Sequence, residues 1–153
     1  MSDRRELGVT RLIQASPETV WRIYTERTAE WFCPRPWTTP VVDWDLRAGG
    51  RCNTTLQSPE GERHSYEGVF LEVDPGRRLV STGAMSAGWT PQNGDMHFVR
   101  IDTFEPEGDA TRYTAHALHW TAEAADKHRA MGFDAGWGAV ADQLAELAKG
   151  EAS

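Results

Sequence analysis

The C-terminal run over residues 121–149 most constrains this 153-residue chain, because it is the one long helical pattern and its middle breaks helical rules. Phe133, Trp137, Val140, Leu144 and Leu147 recur at spacings of four, three, four and three, which draws one apolar stripe along a helix. Gly132, Gly136 and Gly138 sit inside that pattern. A glycine in a helix interior costs about 1 kcal/mol relative to alanine, so three of them imply an opposing backbone or an open space. At ~1.5 Å per residue the run reaches about 40 Å, which suits a helix laid across a sheet. The expectation is one helix over a curved sheet, with a cavity beneath its glycine-rich half.

The rest of the chain supplies that sheet. Residues 7–15 alternate, with Leu7, Val9, Arg11 and Ile13 on one face of a first strand. Ser16-Pro17-Glu18 opens a helix: serine caps an amide, proline fits the first helical position, and glutamate suits the positive helix end. Val20, Trp21, Ile23 and Tyr24 make its buried face, and a second helical turn near 28–32 ends where Pro34 pushes Cys33 out of helical dihedrals. Pro34, Pro36 and Pro40 stiffen a connector around Arg35 and Trp37. Strands are expected at 39–46, 51–57, 63–73 and 78–84, then a long loop over 86–94, then strands at 95–104 and 111–120. Turns such as Ser58-Pro59-Glu60-Gly61 and Asp74-Pro75-Gly76 make this an antiparallel meander rather than βαβ units. A sheet of about seven strands needs one face covered, and only the C-terminal helix is long enough. The chain reads as a single α+β domain over 1–153.

Charge and composition exclude several partners. A net charge of −7 disfavours nucleic acid and anionic membrane surfaces. No apolar run approaches the ~18 residues of a membrane span, and residues 1–6 are polar without a signal-peptide core, so a cytoplasmic location without membrane insertion is expected. Cys33 and Cys52 lie outside any CxxC pair and read as reduced thiols. Seven tryptophans supply large apolar area, for a core or for the lining of an apolar pocket.

Motifs taken in order carry a resemblance to a known family. They are Ala15-Ser16-Pro17-Glu18-Thr19-Val20-Trp21, Ala29-Glu30-Trp31-Phe32, Leu46-Arg47-Ala48-Gly49-Gly50-Arg51 and Tyr66-Glu67-Gly68 with Glu72-Val73-Asp74-Pro75. Phe104-Glu105-Pro106-Glu107-Gly108-Asp109 and Met131-Gly132-Phe133-Asp134-Ala135-Gly136-Trp137 follow. Together they resemble the START-like (SRPBCC) superfamily, in the branch of the C-terminal domain of activator of heat-shock protein 90 ATPase homologues. The resemblance implies a helix-grip fold: a curved antiparallel sheet around the long helix, with a pocket between them. Members of the superfamily include lipid and sterol carriers, hormone receptors, cyclases and proteins of unknown role, so the fold implies a ligand cavity more than a reaction. The branch name also implies a heat-shock ATPase partner. It derives from a domain that follows a separate N-terminal domain, which this sequence does not show, so a small molecule is the partner expected first.

Candidate site residues follow from the strand faces and from the resemblance. Trp31, Phe32, Trp37, Trp44 and Trp89 fall in segments that resemble the family's pocket entrance; Trp31 and Phe32 could equally anchor a short helix. On the strand over 95–104, Phe98, Arg100, Asp102 and Phe104 share one face, and Val99, Ile101 and Thr103 share the other. The rarity of buried charge favours the aliphatic face as the inner one; the alternative makes Arg100 and Asp102 a buried pair in the cavity. His119 shares a face with Tyr113, Ala115 and Ala117; on the long helix His128 could reach the pocket mouth, Met131 suits either core filling or an adaptable ligand wall, and Ala135 is a further pocket candidate. His116 and His119 point to opposite faces, and no HExxH motif, Cys/His cluster, nucleophile elbow or phosphate loop occurs, so neither metal nor cofactor is expected. The leading function is binding of a small apolar or aromatic molecule. The alternatives are a cyclase, dehydratase or hydrolase working through His119, Arg100 or Asp102, and a co-chaperone.

Overall fold

Alternation in the first strand survives in the fold: β1 (Glu6–Ile13) buries Leu7 and Ile13 and turns Glu6, Thr10 and Leu12 outward. The computed structural model describes residues 5–94 and 97–152. α1 (Pro17–Glu26) starts as its capping residues dictate, with Ser16 Oγ accepting the Thr19 amide at 3.2 Å, and it buries Val20, Ile23 and Tyr24. A 3-10 turn, Thr28–Glu30, follows it.

The strands then run β2 (Thr38–Trp44), β3 (Cys52–Gln57), β4 (Arg63–Tyr66), β5 (Val69–Asp74) and β6 (Arg78–Thr82). After them come β7 (Met85–Ser86), β8 (Thr90–Pro91), β9 (Phe98–Glu107) and β10 (Ala110–His119). One sheet has five strands in the order β1-β10-β9-β6-β5, a second has three in the order β2-β3-β4, and β7 with β8 forms a small ribbon. An Arg51–Val69 bridge and the bond from the Cys52 amide to the Gly68 carbonyl join the two larger sheets into one curved surface. The strand expected over 63–73 is therefore two strands. The chain leaves β3 and crosses to β6 at Gly68, where an added Cβ would stand 2.8 Å from the Thr82 carbonyl oxygen. The long loop expected over 86–94 contains the β7–β8 ribbon. Residues 95 and 96, the start of the strand expected over 95–104, lie outside the described residues.

The C-terminal run is two helices rather than one, α2 (Ala122–Ala130) and α3 (Phe133–Ala152). The break is at Gly132, whose φ is +97°. Its amide donates to the Arg129 carbonyl to close α2, and its own carbonyl accepts the Gly136 amide to open α3. This left-handed geometry costs a β-carbon about 1 kcal/mol or more, so Gly132 marks a joint and not a tolerated fault. Gly136 has open space around it: a Cβ there would meet nothing within 4 Å. At Gly138 the close neighbour is a side chain, with Arg11 Nη2 2.9 Å from where a Cβ would be.

These two glycines answer oppositely to alanine. Gly132→Ala is expected to lower stability by about 1 kcal/mol through backbone strain, and Gly136→Ala to raise it by up to about 1 kcal/mol as a helix interior should. Urea midpoints of the two variants check the signs, and a loss in both would place Gly136 outside a regular helix.

The apolar stripe of α3 buries Phe133, Ala141, Leu144 and Ala148. Ala141, Leu144 and Ala148 pack with Ile13, Val20, Ile23 and Phe104 in the main core between α1, α3 and the sheet, and Phe133 packs with Leu7, Ala117 and Ala125 in a smaller one. Arg11 reaches from β1 to Asp142 of α3 at 2.6 Å and fixes the helix over that edge of the sheet. Among the described residues no helix is long and apolar enough to cross a membrane.

Candidate functional site

The sheet and α3 do not close completely. Two chambers of about 600 and about 210 Å³ share Phe32, Leu56 and Arg100 as a common wall; the larger lies within the curve of the sheet, among β3, β4, β6 and β9, and only the smaller reaches α3. Strand alternation builds the larger one: Cys52, Thr54 and Leu56 on β3 point the same way, across from Ser81 and Thr82 on β6 and Phe98 on β9. The smaller lies against α3, where Gly136 leaves room and Trp137, Val140 and Ala141 form the wall opposite Tyr113 and Ala115.

On β9 the structure reverses the sequence expectation. Asp102 is 1% exposed and Arg100 17%, so the face bearing Phe98, Arg100, Asp102 and Phe104 turns inward. Burial is possible because Asp102 is fully engaged. Arg100 donates to it through Nε at 2.9 Å and Nη2 at 3.3 Å. Tyr24 Oη donates to Oδ2 at 2.8 Å and Tyr113 Oη to Oδ1 at 2.6 Å. A buried ion pair whose remaining lone pairs are hydrogen-bonded can offset its desolvation. The two tyrosines come from α1 and β10, so no pattern within β9 announces the arrangement.

Burial also governs ionisation here. Loss of hydration holds the Tyr24 and Tyr113 hydroxyls well above the usual phenol range, with the neighbouring Asp102 charge acting in the same direction. It pushes the Cys52 thiol up to about 12. For Arg100 burial works against the charge, but Asp102 outweighs it and the guanidinium stays charged.

The other anticipated residues are scattered. Phe32 stands on the wall of both chambers and Phe98 on that of the larger. Trp44 lies one layer behind, its Nε1 donating to Thr54 Oγ1 at 3.1 Å and its ring 5.5 Å from that of Phe32. Trp31 is completely buried against Tyr24, at 4.6 Å between ring centres, and belongs to the core. Trp37 is half-buried beside His64. Trp89 is 53% exposed on the turn between β7 and β8, with φ +61°, and covers Gly49. Met131 is 67% exposed at the break between α2 and α3, which carries it off the helix face that meets the sheet. Ala135 is exposed because it precedes Trp137 by two residues, about 200° around a helix. Cys52, Thr54, Leu56 and Ser81 were missed, although the period-two pattern of β3 marks the first three as one face.

His119 and His128 meet each other behind Phe98, with His119 Nε2 2.9 Å from His128 Nδ1 and both rings within 5.5 Å of the Phe98 ring centre. His119 Nδ1 donates to the Arg5 carbonyl at 2.8 Å, so its Nε2 accepts and His128 Nδ1 carries the proton. Burial, then the proximity of His119, lowers the His128 pKa from its ordinary 6.5. A depressed folded-state value means that the unfolded chain binds more protons below 6.5, so this contribution to stability is present above that pH and lost as pH falls. Urea midpoints measured between about pH 7.5 and pH 5.5 should fall, and fall less in His128→Gln. Equal falls would remove His128 as the source.

A curved antiparallel sheet gripping a C-terminal helix around a cavity defines the helix-grip, START-like class. The chain belongs to the family described as Activator of Hsp90 ATPase homolog 1-like protein, whose model matches residues 14–149. It is similar to a crystal structure of a Nitrosomonas europaea protein, with 35% identity, TM-score 0.92 and coverage of 99% of this chain and 98% of that one. A Mycobacterium smegmatis crystal structure, at 23% identity and TM-score 0.77, covers 96% of this chain and 95% of its own. An Arthrobacter aurescens solution structure, at 17% identity and TM-score 0.81, covers 94% and 86%. These last two show the fold alone. No protein with curated annotation matches the chain.

Proposed function

We propose that the chain binds a small apolar or aromatic molecule in the cavity inside its curved sheet, the inner end of which reaches α3. The observation that carries this reading is the larger chamber of about 600 Å³, where Phe32, Leu56 and Phe98 provide apolar surface among polar side chains such as Thr54, Ser81 and Arg100. Ligand pockets of about 300–1,000 Å³ with mostly apolar walls and few polar groups are the usual form of small-molecule sites. Two wall groups, Tyr113 and Cys52, favour binding over catalysis. Efficient general acids and bases titrate near the working pH, whereas burial lifts Tyr113 well above its usual range and Cys52 to about 12.

Native mass spectrometry of gently purified protein and thermal shifts against apolar and aromatic probes test the reading. A probe at about a hundred times its Kd adds about 2.7 kcal/mol, which for a chain of this size raises Tm by about 5–10 °C. Ser81→Phe, which places a ring inside the larger chamber, should shrink the rise. The absence of any bound species or shift across a broad panel would reject the cavity as a ligand site.

A further inference from the structure

Arginine offers five N–H donors in a planar fork. The bonds from Arg100 to Asp102 use one donor on Nε and one on Nη2, which places the carboxylate along the side of the guanidinium. The hydrogen bonds of Arg100 within the described residues leave Nη1 and the second donor of Nη2 unused, although the Tyr113 hydroxyl lies close enough to interact with the guanidinium. The remaining exposure of Arg100 is to the cavity, because the residue lines both chambers, while Asp102 is sealed behind it. The Trp137 and Phe32 rings, 4.5 and 5.3 Å from the guanidinium carbon, hold its plane. Each oxygen of Asp102 also accepts a tyrosine hydroxyl, so its negative charge is shared and the cation is not fully spent on it. Among the described residues the one carboxylate on the cavity walls is Glu67, and it is solvent-exposed.

We propose that the ligand is a monocarboxylate with an apolar body, its carboxylate seated end-on against Nη1 and Nη2 of Arg100 where the two chambers meet. Two parallel N–H donors match the paired oxygens of a carboxylate, which, unlike a phosphate, brings only a single negative charge near Asp102. The apolar body lies along Phe32, Leu56 and Phe98 in the larger chamber. Asp102, Tyr24 and Tyr113 are positioning residues: they aim the fork and do not touch the ligand. The inference rests on the cavity reading above.

Calorimetric titrations with octanoate and methyl octanoate, and with cinnamate and methyl cinnamate, keep the body constant and change only the head. The acid should bind the wild-type protein at least about tenfold more tightly than its ester, as a charge-assisted bidentate pair implies. Arg100→Lys, which keeps the charge and loses the fork, should shrink that preference. Ser81→Asp tests it independently: position 81 stands opposite Arg100 in the β6–β9 register and lines the larger chamber. A carboxylate placed there occupies the free donors and should bring the acid-to-ester ratio to about one or below. Esters that bind as tightly as acids would overturn the carboxylate assignment and leave the cavity reading standing. If neither acids nor esters bind, the cavity reading fails and this inference with it.

Discussion

Asp102→Ala is expected to destabilise the protein by about 3–5 kcal/mol, because it strands the Arg100 guanidinium in a site built around its counterion. Asp102 is 1% exposed and takes four hydrogen bonds, from Arg100 twice, Tyr24 and Tyr113. Its removal leaves two hydroxyls and a cation to find other acceptors in an apolar neighbourhood. Tyr113→Phe deletes a single donor and leaves the ion pair whole, so about 1 kcal/mol is expected. Urea unfolding of the two variants gives the comparison directly. A loss below about 1 kcal/mol for Asp102→Ala would mean that cavity water solvates Arg100 well enough to make the pair a surface-like one.

Trp31→Ala should cost about 3–5 kcal/mol, the range for truncating a large buried aromatic. Trp31 is 0% exposed and packs on Tyr24 and Phe32, away from the chambers. Its Nε1 is the buried side-chain nitrogen that finds no hydrogen-bond partner among the described residues. Trp31→Phe removes that unsatisfied donor along with part of the ring, so its cost should fall to about 1–2 kcal/mol, as the recovered desolvation offsets lost packing. The same variants separate core from gate. Were Trp31 an entrance residue, alanine would alter probe binding while leaving the urea midpoint near the wild-type value.

The residues that could be placed from the chain alone are those whose role is local. Ser16, Pro17 and Glu18 start a helix whatever follows, and Leu7, Val9, Arg11 and Ile13 share a face because strand side chains alternate. The stripe from Phe133 to Leu147 marks a helix laid on the sheet, although Gly132 divides the run into two helices. The split at Gly68 was hidden because both halves of 63–73 have strand character, and only their different partners, β3 and β6, separate them.

Local pattern thus specifies the order of the main elements, the caps and turns, the antiparallel connection of the strands and the motifs of the START-like class. Each depends on residues within a few positions of one another, or on motifs in fixed order. Tertiary structure alone decided which face of β9 is the inner one. Within the strand, the costs of burying Arg100 and Asp102 argue for the opposite answer. The balance is reversed by hydroxyls from Tyr24 and Tyr113, separated from Asp102 by 78 and 11 residues along the chain and brought within 2.8 Å of it by the packing of α1 and β10.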